Sequence, residues 1–190
     1  MSVAPSIQAP KYMTDWASGS IDGPGVVTLE RRLADLAGVF ANVEAYTALP
    51  PDRLVYRTVC VFPVEGGTEG GLFWGTTFIE PGRVDDEYFM TKGHFHAKAD
   101  RMEVYFTFAG SGLLLLMDLD RNCWAEEMTP GSTHLIPAFT AHRTVNTGDC
   151  ELSFGACWPS DAGHDYTSIA EAGFSARVMR VDGVPRLVPS

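Results

Sequence analysis

Residues 93–110 read GHFHAKADRMEVYFTFAG, and this stretch decides the fold. In an extended chain, side chains at i and i+2 point to one face. His94 and His96 therefore project together. Lys98, Asp100 and Arg101 form a polar insert, and Glu103 follows it, at the head of an apolar, aromatic run. The insert reads as a loop that returns Glu103 on the neighbouring strand, facing both imidazoles. Two nitrogens and a carboxylate oxygen then converge, a donor set suited to a divalent transition metal with positions left open for substrate.

A fourth donor comes from GSTHLIPAFTAHRTVN, residues 131–146, where His142 follows a turn containing Pro137. The two stretches together resemble the two-part metal motif of cupins. The first part, H-x-H, a few residues, E, then six residues and G, falls on His94, His96, Glu103 and Gly110. The second, G-x5-P-x-G-x2-H-x3-N, falls on Gly131, Pro137, His142 and Asn146, with Phe139 where the middle Gly would stand. The resemblance implies a cupin barrel with a metal on His94, His96, Glu103 and His142. His134 has no place in the motif and reads as structural.

Working outward, the sequence is all-β in pattern. β-branched and aromatic runs alternate with turn residues: LVYRTVCVFPV from 54, GLFWGTTFIEPG from 71, LLLLMDLD, CWAEEMTPG and ELSFGACWPSDAG. Such turn spacing suits a small antiparallel barrel or jelly roll. SIAEAGF reads as a short helix, and Asp182-Gly183 between apolar runs signals a C-terminal hairpin. Upstream, residues 28–43, TLERRLADLAGVFANV, read as a helix. Leu29, Leu33, Leu36 and Phe40 fall at i, i+4, i+7 and i+11, Thr28 is the N-cap, and Pro50-Pro51 prevents continuation. The expected organisation is a single domain, with an N-terminal arm and helix over 1–52 and the barrel with its C-terminal extension over 53–190.

The formal net charge is −10, and no basic stripe is evident. That argues against nucleic acid as a partner. It leaves room for a small phosphorylated ligand, because a few local cations and N–H groups outweigh a distant net charge. The apolar runs are too short for a membrane helix, and the opening residues lack a secretory pattern. Cys60, Cys123, Cys150 and Cys157 match no C-x-x-C motif and read as reduced thiols of a cytoplasmic protein.

Three strings carry a closer resemblance: YFMTKGHFHAKADRMEVY (88–105), AHRTVN (141–146) and WPSDAGHDYTSIAEAGFS (158–175). They resemble the cupin-type phosphoglucose isomerases. That likeness implies a homodimer with one divalent metal per subunit, iron first, zinc or manganese as alternatives. It implies interconversion of glucose 6-phosphate and fructose 6-phosphate, through a cis-enediolate or a metal-assisted hydride shift. Glu103 is then the catalytic base as well as a ligand, and His164 aids ring opening. Thr77, Thr91, Gly93 and Tyr105 contact substrate. In Thr91-Lys92-Gly93 a hydroxyl, an ammonium and an open backbone N–H suit a phosphate. Lys98, Arg101 and Arg143 crowd the same motif. The family usually has Tyr where Trp158 stands, and often an aromatic pair where Phe139-Thr140 stands. A cupin dioxygenase and a non-catalytic sugar-phosphate binder are the competing readings.

Overall fold

The computed structural model describes residues 5–190; the first four residues of the N-terminal arm lie outside the described residues. The chain has the all-β architecture its turn spacing predicts, in the cupin form that the motif resemblance implies. Two antiparallel sheets face each other across one core. The larger has six strands in the order Thr133–Ile136, Glu103–Ala109, Leu152–Pro159, Leu72–Ile79, Leu54–Val61, Val27–Arg32. The smaller has the order Cys123–Met128, Gly112–Met117, Ala141–Asn146. The His-x-His segment joins it, because Met90 and His94 bridge antiparallel to Val145 and His142.

The run GLLLLM is apolar throughout because both faces of its strand are covered. Leu114 and Leu116 point between the sheets, with Ile79, Tyr56 and Phe154. Leu115 and Met117 point the other way, into a small second core with Ala141, Ile169 and Phe174. The lid over that core is the Thr167–Ala172 helix, where SIAEAGF predicts one. Ala176–Val181 and Val184–Pro189 form the expected hairpin. Its turn has Asp182 and Gly183 both at positive φ (51° and 83°), as a two-residue turn between right-twisting strands requires.

The helix expected over 28–43 is not present. Val27–Arg32 is a strand, Leu33–Leu36 a 3-10 turn, and the α-helix comes later, at Val43–Thr47. The strand adds to the edge of the large sheet, pairing from Val27↔Cys60 to Arg31↔Tyr56. The helical stripe misled because Leu33, Leu36 and Phe40 are indeed buried, but through a turn and a loop that present the same apolar residues. Leu33 and Ala34 donate to the carbonyls of Arg53 and Pro51 instead of winding a helix. Gly38 at φ +80° ends the turn. Long-range pairing thus outweighs local propensity. Leu36 is fully buried in the main core, so Leu36→Ala is expected to cost about 2–5 kcal/mol. A urea midpoint unchanged from wild type would show that this turn contributes nothing to the core.

Ahead of that strand, the arm packs on the outer face of the large sheet. Trp16 lies against Phe106 and Phe108, and the Thr76 hydroxyl donates to the Gly19 carbonyl at 2.6 Å.

Candidate active site

The two sheets open at one end into a pocket of about 400 Å3. Alternation along each strand decides what lines it. From the large sheet come Arg31, Tyr56, Thr58, Thr77, Glu103, Tyr105 and Trp158; the 91–96 segment and His142 come from the small-sheet side, and His164 and Tyr166 from the 160s loop.

His94 and His142 are locked by reciprocal backbone bonds, His94 N–H to His142 O at 3.2 Å and the reverse at 3.1 Å. The bridge sets their rings 4.4 Å apart, centroid to centroid. His96 lies 5.2 Å from His142 on the same measure. One donor nitrogen from each of His94, His96 and His142 falls within 4.8 Å of the others. His96 Nδ1 is 2.9 Å from the Arg101 carbonyl oxygen. A carbonyl only accepts, so Nδ1 carries the proton and Nε2 presents its lone pair. That Nε2 lies 3.2 Å from Glu103 Oε2, and His142 Nε2 lies 3.2 Å from the same oxygen. His142 Nε2 is buried and makes no hydrogen bond.

A buried carboxylate facing two imidazole nitrogens in this way suits a cation held among them. The donor set therefore fits a divalent metal of the kind held by imidazole and carboxylate. Burial pushes the Glu103 carboxyl upward, but the two imidazoles facing it, His142 and His96, outweigh burial and hold the pKa below the usual carboxylate range. Glu103 is thus ionised at neutral pH. Burial alone would lower His96, yet the Glu103 carboxylate raises it. His94 goes well below its ordinary value through burial and the neighbouring imidazoles.

The loop joining His96 to Glu103 is pinned from outside. Asp161, its carboxylate buried, accepts from Lys98 Nζ at 2.8 Å and from Arg101 Nε and Nη2 at 3.0 and 2.8 Å. The polar insert is therefore more than solvated charge. It fixes the carbonyl that orients His96, and it ties the loop between His96 and Glu103 to the segment bearing His164.

His164 is exposed at the pocket mouth, its ring centroid 4.3 Å from that of His94, and it stacks on Tyr166. Desolvation of the ring among these neighbours lowers its pKa. Thr91 Oγ1 accepts from Thr144 N–H at 3.0 Å, which leaves its hydroxyl proton available to a ligand. Lys92 Nζ sits 5.0 Å over the Tyr166 ring. Gly93 has φ +76°, a conformation that favours glycine. Tyr105 is buried and its pKa is driven well up by burial, so its phenol stays protonated. Trp158 packs edge-on against Phe73.

The four expected metal ligands and the expected substrate contacts, Thr77, Thr91, Lys92, Gly93, Tyr105, Trp158 and His164, all line this one pocket; Lys98, Arg101 and Arg143 do not. Arg31, Tyr56, Thr58 and Tyr166 were missed. Tyr56 and Thr58 share a face two residues apart, a signal available in LVYRTVCV. Arg31 was hidden because its strand was read as a helix. Phe139 takes the left-handed conformation, φ +61°, at the position where the cupin motif has Gly. The backbone keeps the motif's shape although the residue does not. His134 is structural, as expected: it is buried, with Nδ1 2.7 Å from Glu126 Oε2 and Nε2 2.9 Å from Ser132 Oγ.

Comparison with known proteins identifies the family. A family model described as glucose-6-phosphate isomerase (GPI) matches residues 30–186. A glucose-6-phosphate isomerase of Thermococcus onnurineus is 45% identical over 166 residues, 87% of each chain. One from Pyrococcus horikoshii is 44% identical over 176 residues, 92% of this chain and 91% of its own. A bacterial one, from Sinorhizobium medicae, is 39% identical and covers 80% of this chain and 72% of its own. Among solved structures, an oxalate oxidase in complex with glycolate matches at a TM-score of 0.45 with 15% identity, covering 76% of this chain and 56% of its own. Fold and site thus define a cupin-type enzyme with a three-histidine, one-carboxylate centre. The chain belongs to the glucose-6-phosphate isomerase family.

Proposed function

We propose that the protein is a metal-dependent isomerase that interconverts glucose 6-phosphate and fructose 6-phosphate. One observation carries the reading. The Nε2 atoms of His96 and His142 both approach Glu103 Oε2 at 3.2 Å, in a pocket that Arg31 and Lys92 also line. A cation-demanding donor set and two side-chain cations share one small-molecule-sized cavity. Family membership supplies the substrate.

His94, His96, Glu103 and His142 would hold one divalent ion, iron first, with zinc or manganese accepted. When bound, the metal supplies Lewis acidity toward the substrate's oxygens. The protein's own groups do the rest. Glu103, ionised and dry, takes the C2 proton of open-chain glucose 6-phosphate and returns it to C1, while the O2 hydroxyl proton passes to O1. His164, kept neutral, relays a proton between O5 and O1 as the ring opens. Tyr105 donates from its protonated phenol. Thr77 contributes a hydroxyl to the sugar, and Trp158 offers an apolar wall where relatives have a phenol. Thr91, Lys92, Gly93 and Arg31 receive the phosphate. The protein acts as a homodimer through the outer face of the large sheet, where Leu72 and Leu135 are exposed.

The test is turnover of fructose 6-phosphate, read through a coupled glucose-6-phosphate dehydrogenase, before chelation, after it, and after single metals are restored. Activity lost and regained supports the reading. Folded, metal-loaded protein without turnover overturns it in favour of oxygen chemistry or simple binding.

Arg31 gives a separate check, since it sits on an edge strand clear of the four proposed ligands. Arg31→Ala is expected to raise KM for fructose 6-phosphate about tenfold with kcat little changed, the scale of one charge-assisted hydrogen bond near water. An unchanged KM would remove Arg31 from the phosphate site.

A further inference from the structure

A second cavity, of about 130 Å3, lies on the far side of the Lys92-Gly93 backbone. It is enclosed by the Thr167–Ala172 helix, the Ala37–Val39 loop and the outward-facing side of the Ala141–Asn146 strand. His142 points into the main pocket, so Arg143, one residue on, points into this one.

Arg143 is buried but poorly paired. Nη2 donates to the Lys92 carbonyl at 2.7 Å, and Nη1 meets only the Met90 sulfur at 3.2 Å. Nε is buried without any partner. The guanidinium also lies 4.5 Å over the Phe174 ring. A fork of five N–H groups with a single oxygen acceptor leaves costly gaps. Arg177 and Lys92 line the same cavity, and no acidic residue does. The one carboxylate nearby is Glu87, whose oxygens accept from Arg177 Nη1 at 2.7 Å and from Ala41 N–H at 2.8 Å. Glu87 therefore balances Arg177 and leaves Arg143 without a direct counter-charge. The guanidinium is cationic at neutral pH. A positive, roomy cavity in a chain of net charge −10 is a local inversion of the protein's field. Its volume is several times what one water needs, about 10–15 Å3.

We propose that this second cavity is a binding site for a small tetrahedral oxyanion, held by the under-paired guanidinium of Arg143 with Arg177 beside it. It is distinct from the sugar pocket, from which Lys92 and Gly93 separate it.

The probe is inorganic phosphate, titrated calorimetrically into metal-loaded protein with its sugar pocket saturated by fructose 6-phosphate. One further equivalent should bind. Arg143→Met should weaken it at least tenfold. Because that change also removes the bond to the Lys92 carbonyl, Ala170→Phe is the companion variant. Ala170 is exposed and lines the cavity; enlarging it fills the space while leaving every charge in place, and it should weaken binding comparably. No further equivalent, heat that vanishes as the sugar concentration rises, or binding that Ala170→Phe leaves intact would each overturn the site. Should fructose 6-phosphate itself not bind, the isomerase reading fails separately. The comparison of wild type with Ala170→Phe in sugar-free protein then still reports on this cavity.

Discussion

Replacing Glu103 with Gln should lower turnover of fructose 6-phosphate by about 10²–10⁴, the range for loss of a general base. The change keeps shape and volume. What it removes is an ionised oxygen that both His96 Nε2 and His142 Nε2 approach at 3.2 Å. The new amide sets an N–H or a weaker carbonyl dipole in that place, so metal affinity also falls. The two effects separate if turnover is measured at saturating metal with occupancy read by elemental analysis. At equal occupancy, the remaining deficit belongs to proton transfer. A fully metallated variant within tenfold of wild type would remove Glu103 as the base and favour the hydride shift.

The second large effect is expected from Gly93→Ala. The residue has φ +76°, and an added Cβ would stand 2.8 Å from Phe174 Cε2, 2.9 Å from Arg143 Nε and 3.0 Å from Arg143 Cβ. The left-handed conformation costs an L residue about 1–2 kcal/mol. Overpacking against a buried aromatic and a buried guanidinium adds about 1–3 kcal/mol. A loss of about 2–5 kcal/mol in urea unfolding is expected, with a raised KM because the segment between Thr91 and His94 must shift. A variant with wild-type stability and KM would show that this glycine is neither strained nor part of the cradle.

Much of this was readable before any coordinates. His94, His96 and Glu103 follow from local spacing, since the i, i+2 rule puts two imidazoles on one face and a short polar loop returns the carboxylate; His142 follows from the resemblance to the second cupin motif. Thr77, Tyr105 and Trp158, singled out by the family resemblance, stand on pocket-facing positions of their strands. The Asp182-Gly183 hairpin was equally local, since its turn chemistry is written in two residues.

The N-terminal segment was not readable in this way. Leu33, Leu36 and Phe40 fit a helical stripe and a turn-plus-loop equally well, because burial alone does not fix backbone conformation. The choice was made by the Leu54–Val61 strand, which offers unpaired backbone groups to residues 27–32. With that strand came Arg31, a cation delivered to the pocket from a part of the chain read as outside the barrel. The partnership of Asp161 with Lys98 and Arg101 is of the same kind, joining loops some sixty residues apart.

The sequence by itself determined the all-β class, the cluster of three histidines and one carboxylate, and the hairpin, because each depends on contacts within a few residues or on a motif with fixed spacing. Only the tertiary structure decided which residues beyond the motif face the pocket, how His96 is oriented through the Arg101 carbonyl, and that Arg143 closes a second, positively charged cavity. Those features depend on which strands pair and which helix covers which face. That choice is made by burial and hydrogen bonding summed over the whole chain, and no local pattern encodes it.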